Sequence, residues 1–311
     1  MPAVYITSPG PGEGKTAIAL GLAQWWQGRG KKLGYLRLGP SPEGDISFAE
    51  RLGLEAASCP PAEVEQAYDR LALGRDLVLI EGLVPDVEAA LKKLRGRALL
   101  VLPFKGVEKA GEAARRLGEA LVGVVLNFVP RSRMEKAKNE LAPALKGKNV
   151  AVLGVLPEER ALLAPSVADL AGYLGARVVL HQDRGEELVE AFMVGAMCLD
   201  PAPAYFGRKE AKAVITRRDR PDILLGALQT PTRCLVLTGG GDKIDPYVLR
   251  GADDKGVTVL LVEQDTPATL ERLEALLAGV RFRQEKKLPI LSRFLQENLD
   301  WEAVEKGLGG F

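Results

Sequence analysis

The chain has 311 residues, 47% apolar and 27% charged, with a formal net charge of +1. That mix belongs to one large or two ordinary folded domains and excludes a disordered polypeptide. A charge so close to zero gives no bulk attraction to nucleic acid or to a membrane surface.

Local basic clusters at Arg131 to Lys138 and Arg217 to Arg220 read as solvated surface. No apolar run approaches the roughly 18 residues of a membrane span. Met1-Pro2-Ala3-Val4 opens without the long apolar core of a signal peptide, so a cytoplasmic location is expected. Cys59, Cys198 and Cys234 are too scattered for a disulfide frame or a metal cluster and read as buried thiols. His181 is the sole histidine, which removes Ser-His-Asp and multi-histidine metal sites.

In chain order, residues 3–6 predict a strand and Lys15 to Gln27 a helix. Lys32 to Arg37 reads as a strand, Glu43 to Leu52 and Ala62 to Ala72 as helices, and Asp76 to Glu81 as a strand apolar on both faces. Then come helix Val84–Lys93, strand Ala98–Pro103, helix Val107–Ala120, strand Val122–Asn127, helix Arg133–Leu145 and strand Val150–Leu156. Such alternation implies a parallel sheet covered by helices on both faces. A short helix, Val167–Leu174, follows a break at Pro157 to Ser166. Beyond it, strand Arg177–Leu180, helix Gly185–Val194, strand Ala213–Thr216, helix Pro221–Gln229 and strand Arg233–Leu237 predict a second, smaller α/β unit. Helix Pro246–Asp253, strand Thr258–Val262 and helix Pro267–Leu277 complete it. The expected division is 1–160, a linker at 161–167, a second domain at 168–285 and a helical tail at 286–311.

The first strand runs into Ser8-Pro9-Gly10-Pro11-Gly12-Glu13-Gly14-Lys15-Thr16. Strand, glycine-rich turn and helix start make a phosphate-binding loop. Small residues turn backbone N–H groups toward a polyanion, and the helix N-terminus adds partial positive charge. Lys15 would reach the terminal phosphates and Thr16 would place a hydroxyl on Mg²⁺. Pro9 stands where the usual pattern has its first glycine.

Further candidates lie at strand ends. Glu81 closes a buried strand, where a carboxylate is costly unless it faces a cation, so it could hold Mg²⁺. Arg37 ends the second strand and is either a cation aimed at transferred phosphoryl charge or surface. Asp45 is either a helix N-cap or a second carboxylate near the metal. Asn127 either reads a base edge or caps a turn. Thr238-Gly239-Gly240-Gly241 could bind an anion, and by itself reads as a tight structural connection.

Residues 3–156 resemble the dethiobiotin-synthetase-like branch of P-loop proteins. The resemblance rests on Gly12-Glu13-Gly14-Lys15-Thr16, Gly34-Tyr35-Leu36-Arg37, Leu79-Ile80-Glu81-Gly82 and Gly123-Val124-Val125-Leu126-Asn127. Residues 168–285 resemble a DRTGG domain through Val194-Gly195-Ala196-Met197, Ile215 to Asp222 and Leu237-Thr238-Gly239-Gly240. That pairing is similar to the N-terminal, non-catalytic half of long phosphate acetyltransferases.

The resemblance implies ATP held by Gly12, Glu13, Gly14, Lys15, Thr16 and Ala17, with Asn127 near adenine. It also implies Mg²⁺ among Thr16, Asp45 and Glu81, and Lys15 and Arg37 as the groups acting on phosphate. A sensor of a small ligand at the DRTGG domain, a regulator of acetyl-phosphate metabolism, is the leading expectation. An ATP-dependent ligase of the dethiobiotin or cobyrinate-amidating type is the alternative, and ATP hydrolysis stays open. A homodimer or a partner acetyltransferase would be the protein partner, and acetyl transfer by this stretch itself is not expected. Dethiobiotin synthetases carry Lys-Pro where Arg37-Leu38 stand, and the ParA/MinD signature lysine would fall at Gly10.

Overall fold

The computed structural model of the chain describes residues 3–40, 44–196 and 202–308. It divides into two compact units, Met1–Glu159 with Leu288–Phe311, and Arg160–Lys287.

In the first unit, seven strands form one sheet: β1 (Ala3–Ser8), β2 (Leu33–Leu38), β3 (Glu55–Cys59), β4 (Leu77–Leu83), β5 (Arg97–Pro103), β6 (Leu121–Val129) and β7 (Val152–Pro157). Their order is β3-β2-β4-β1-β5-β6-β7, and every pairing is parallel. All of β1 is buried, and β4 is buried through Gly82, because helices cover both faces of the sheet. Since β1 lies between β4 and β5, the chain runs outward from it in two directions. The carboxyl ends of β1, β2 and β4 therefore flank the crevice where open sheets of this kind take their ligands.

Three details depart from the sequence expectation. Glu55–Cys59 forms an edge strand where none was expected. The helix expected over Arg133–Leu145 forms without a gap over 134–146, but follows a 3₁₀ turn and carries a π segment at Ala137–Leu141. The expected separate tail is part of the first unit. Its helices Leu288–Asn298 and Trp301–Leu308 bury Leu291, Leu295, Val304 and Leu308. Trp301 stacks on Trp25 at 3.9 Å between ring centroids, and Trp25 Nε1 donates to Glu305 Oε1 at 3.0 Å. The backbone N–H of Asp300 donates to the Leu153 carbonyl at 2.8 Å, fixing the turn between those helices to β7.

The second unit holds β8 (Arg177–Leu180), β9 (Ala191–Val194), β10 (Lys212–Arg217), β11 (Thr232–Thr238) and β12 (Thr258–Leu261), in the order β8-β12-β11-β10-β9. Only β8 is antiparallel to its neighbour. Ala213 and Ile215 of β10 enter one core with Val236 and Leu273, while Val214 enters the other with Leu224 and Leu235. This is the two-residue alternation of a strand covered on both faces.

The expected helix over Gly185–Val194 is corrected here. Phe192 and Met193 pair with Ala213 and Val214, so Ala191–Val194 is an edge strand. Residues 161–167, expected as a linker, lie within the second unit. Arg160–Leu163 is helical, and Ser166 caps the helix Val167–Leu174 in a reciprocal pair with Asp169. Cys59 and Cys234 are free and buried. Cys198, Met197 and the Glu43 start of one expected helix lie outside the described residues. No helix among the described residues is long and apolar enough to cross a membrane.

Candidate nucleotide site

The site is built where β1 gives way to the helix Lys15–Gln27. Gly12 and Gly14 adopt left-handed backbone angles, φ 72° and 92°. A side chain at Gly14 would also collide with the Asn127 amide, so glycine is required there twice over. Asn127 lies inside β6, and its Nδ2 donates to the Glu13 carbonyl at 3.0 Å. Its amide thus holds the loop from beneath.

The loop closes on Gly10. The Gly10 N–H donates to Glu13 Oε2 at 3.0 Å, and the Gly10 carbonyl accepts from Ser8 Oγ at 2.7 Å and Lys15 Nζ at 3.4 Å. Lys15 is buried. Desolvation lowers its pKa, with Glu81 opposing and Arg37 adding to that shift.

Beside the loop, one buried carboxylate gathers three donors. Glu81 is fully buried, and its Oε1 accepts from Thr16 Oγ1 at 2.8 Å and from Arg37 Nη1 at 3.0 Å. Its Oε2 accepts from the Tyr35 hydroxyl. Arg37 Nη1 also lies 3.2 Å from Asp45 Oδ2, so one guanidinium nitrogen bridges two carboxylates. Register explains the meeting: Arg37 stands opposite Glu81 across the β2–β4 pairing, and Ile6 opposite Glu81 on the other side. Asp45 begins the helix Asp45–Arg51, but Gly44 is its N-cap, so the Asp45 side chain is left to the ion pair.

Electrostatics follow from burial and pairing. Burial works against the Arg37 charge, but Glu81, Tyr35 and Asp45 outweigh it and push its pKa up. Burial, then Glu81, drives the Tyr35 hydroxyl far above its ordinary value, which keeps it a donor. Sequence reasoning missed Tyr35. The available signal was its place two residues before Arg37, which puts both on one face of β2.

The oxygens of Thr16, Asp45 and Glu81 are hard donors of the kind Mg²⁺ takes, one or two carboxylates with phosphate and water completing the shell. No group of three or more His, Cys, Asp or Glu side chains able to hold a metal exists among the described residues. The donor set fits a metal shared with a bound phosphate, with the Arg37 guanidinium now lying between the two carboxylates.

A parallel sheet with a glycine-rich loop after its central strand, flanked by helices and followed by a smaller α/β domain, defines a P-loop nucleotide-binding fold. Residues 4–169, more than half of the chain, match the CobQ/CobB/MinD/ParA nucleotide binding domain, and the chain belongs to that family. Residues 169–276 match the DRTGG domain.

Among curated relatives, the chain is similar to phosphate acetyltransferase of Pseudomonas putida, 25% identical with 96% of this chain and 51% of the relative covered. The Nitratidesulfovibrio vulgaris phosphate acetyltransferase is 26% identical over 76% of this chain and 37% of its own length. The chain thus spans about half the length, or less, of the curated relatives it matches. Similar solved structures include the MinD cell division protein of Aquifex aeolicus, at TM-score 0.39 and 16% identity, covering 52% of this chain and 84% of that one. The CBS and DRTGG domains of the regulatory region of Clostridium perfringens pyrophosphatase, complexed with diadenosine tetraphosphate, overlap at TM-score 0.34 and 14% identity. That overlap covers 52% of this chain and 77% of the other. The expected dethiobiotin-synthetase-like kinship is thus met at the wider level of this P-loop family.

Proposed function

We propose that the chain is a Mg-ATP-binding regulatory protein, in which the P-loop unit takes the nucleotide and the DRTGG unit takes a small ligand. The observation that carries this reading is the Thr16 hydroxyl donating to buried Glu81 directly behind the loop, with Lys15 held inside it. A hydroxyl and a carboxylate so joined are the two protein groups a phosphate-bound Mg²⁺ needs. Lys15 and the loop amides of Gly12 to Ala17 would hold the phosphates. Thr16, Asp45 and Glu81 would hold the metal, which supplies charge neutralisation between phosphate oxygens when bound. Arg37 would pair with phosphate once released from its carboxylates. The place of the site within the dethiobiotin-synthetase-like branch is part of the same reading. So is a regulatory link to acetyl-phosphate metabolism, supported by similarity to phosphate acetyltransferases along nearly the whole chain.

Thermal unfolding with ATP and MgCl₂ tests the reading, because a ligand that binds only the folded state raises Tm by mass action. The shift is expected in the native chain and absent in Lys15→Ala. No shift with ATP, GTP or their diphosphates overturns it. Steady ADP release that requires a carboxylate or diamino-acid acceptor would replace it with the ligase.

A further inference from the structure

The carboxyl ends of β10, β11 and β12 in the second unit lead to a cavity of about 420 Å³, lined by Arg217, Arg218, Thr238, Thr266 and their neighbours. These three strands are parallel, so their ends meet at one edge, the usual place for a ligand in an open α/β sheet.

Arg218 is held in place at the cavity wall. Its Nη1 donates to the Lys243 carbonyl at 3.0 Å, while its buried Nε has no hydrogen-bond partner among the described residues. The glycine turn fits around that guanidinium. Gly239, Gly240 and Gly241 all have positive φ, and a Cβ on Gly241 would stand 2.9 Å from Arg218 Nη2. The turn is not an amide nest for an anion. The Gly239 and Gly240 N–H groups donate to the Gln264 and Val262 carbonyls. Recognition at this cavity therefore falls on side chains.

Thr238 is fully buried, and its hydroxyl meets that of Thr266 at 2.7 Å. The pair uses one hydroxyl proton internally and leaves the other to donate. Both lining carboxylates are already engaged: Asp219 pairs with Arg217, and Asp265 caps the helix Thr266–Gly279 by accepting from the Ala268 N–H. What the lining still offers is guanidinium and hydroxyl donors. Among the described residues the lining holds no aromatic ring, and Pro267 is its one bulky apolar member, so no aromatic platform for a nucleobase is present there.

We propose that this cavity binds the phosphoryl group of a compact, non-aromatic metabolite, with Arg218 as the fixed guanidinium and the Thr238–Thr266 pair donating to the same group. Guanidinium forks match phosphoryl oxygens in bidentate fashion, which a lysine does not reproduce. The proposal supplies the ligand class for the second unit in the regulatory reading above, and its test separates the two. The run Arg217 to Arg220, read from sequence as solvated surface, contributes three residues to this lining, two of them arginines.

Isothermal titration of the full chain with inorganic phosphate at constant ionic strength tests it, with acetate as the carboxylate control. In the Lys15→Ala background, which disables the P-loop, a phosphate site is expected to persist. Adding Arg218→Ala, or Arg218→Lys, is expected to weaken that site at least tenfold, and Thr238→Val to weaken it several-fold. ATP-induced stabilisation, measured in the single variant Arg218→Ala, is expected to stay as in the native chain, which also shows that this variant folds. Absence of phosphate binding in Lys15→Ala, equal binding with and without Arg218, or acetate binding as well as phosphate would each overturn the proposal. Loss of ATP stabilisation in the native chain would overturn only the nucleotide reading.

Discussion

Arg37 and Glu81 face each other across adjacent parallel strands, and the same guanidinium nitrogen that contacts Glu81 at 3.0 Å reaches Asp45 at 3.2 Å. Two carboxylates and one guanidinium, with Lys15 nearby, bring these side chains close to charge balance. Breaking such a buried arrangement leaves carboxylate charge without its counterion. Arg37→Ala is therefore expected to destabilise the first unit by about 3 kcal/mol, read as a lower urea midpoint. Arg37→Lys should recover part of the loss, since the charge returns without the fork.

Tyr35→Phe removes one donor from Glu81 and the hydrogen bond that the same hydroxyl shares with Arg37. A buried carboxylate deprived of one hydrogen bond costs about 1–3 kcal/mol. The variant should bind ATP in Lys15-dependent fashion while unfolding at lower urea. Unchanged stability would show that the Tyr35 hydroxyl is not holding Glu81.

Gly14→Ala places a side chain on a backbone at φ 92° and against the Asn127 amide. The loop must shift away from β6, so the ATP-dependent rise in Tm should disappear. Asn127→Ala relieves the collision in the double variant but not the backbone strain, and should restore only part of the effect.

Lys287 is fully buried, and its Nζ has no hydrogen-bond partner among the described residues. Burial, opposed by Asp169, lowers its pKa from 10.5 to about 8. Between those two values the unfolded chain binds more protons than the folded one, so this group makes stability rise with pH through that window. Below pH 8 the folded state carries the buried charge at full cost. Lys287→Met is thus expected to be more stable at pH 7 by about 1–3 kcal/mol, with the advantage shrinking as urea midpoints are taken from pH 8 to 10.

Much of the first unit was legible because its strands are apolar runs between turn residues, and the loop from Gly10 to Thr16 states its chemistry in residue types. The strand Glu55–Cys59 was not, because Glu-Ala-Ala-Ser-Cys has weak strand preference and is held by pairing with β2. Ala191–Val194 misled for a related reason: four apolar residues fit a helix or a strand, and the β10 edge decides. At the site, Glu81, Arg37 and Asp45 could be found singly, but their bridging depends on strand order, which no local pattern encodes. The gathering of Arg218 and Thr238, twenty positions apart, was hidden in the same way. Nor did any local signal assign the helices after Leu288 to the first sheet.

That last feature carries a consequence for how the chain is made. Leu291, Leu295, Val304 and Leu308 cover the first unit's sheet, yet they leave the ribosome after every residue of the second unit. During synthesis, domains generally fold as units from the N-terminus onward. Here the first unit must wait with the part of one face over β5 to β7 uncovered, while the second, contiguous in sequence, can finish before it. The helix that follows the loop, Lys15–Gln27, is translated early and packed late against Leu291 and Leu295, so nucleotide binding should mature only after the helices Leu288–Asn298 and Trp301–Leu308 emerge.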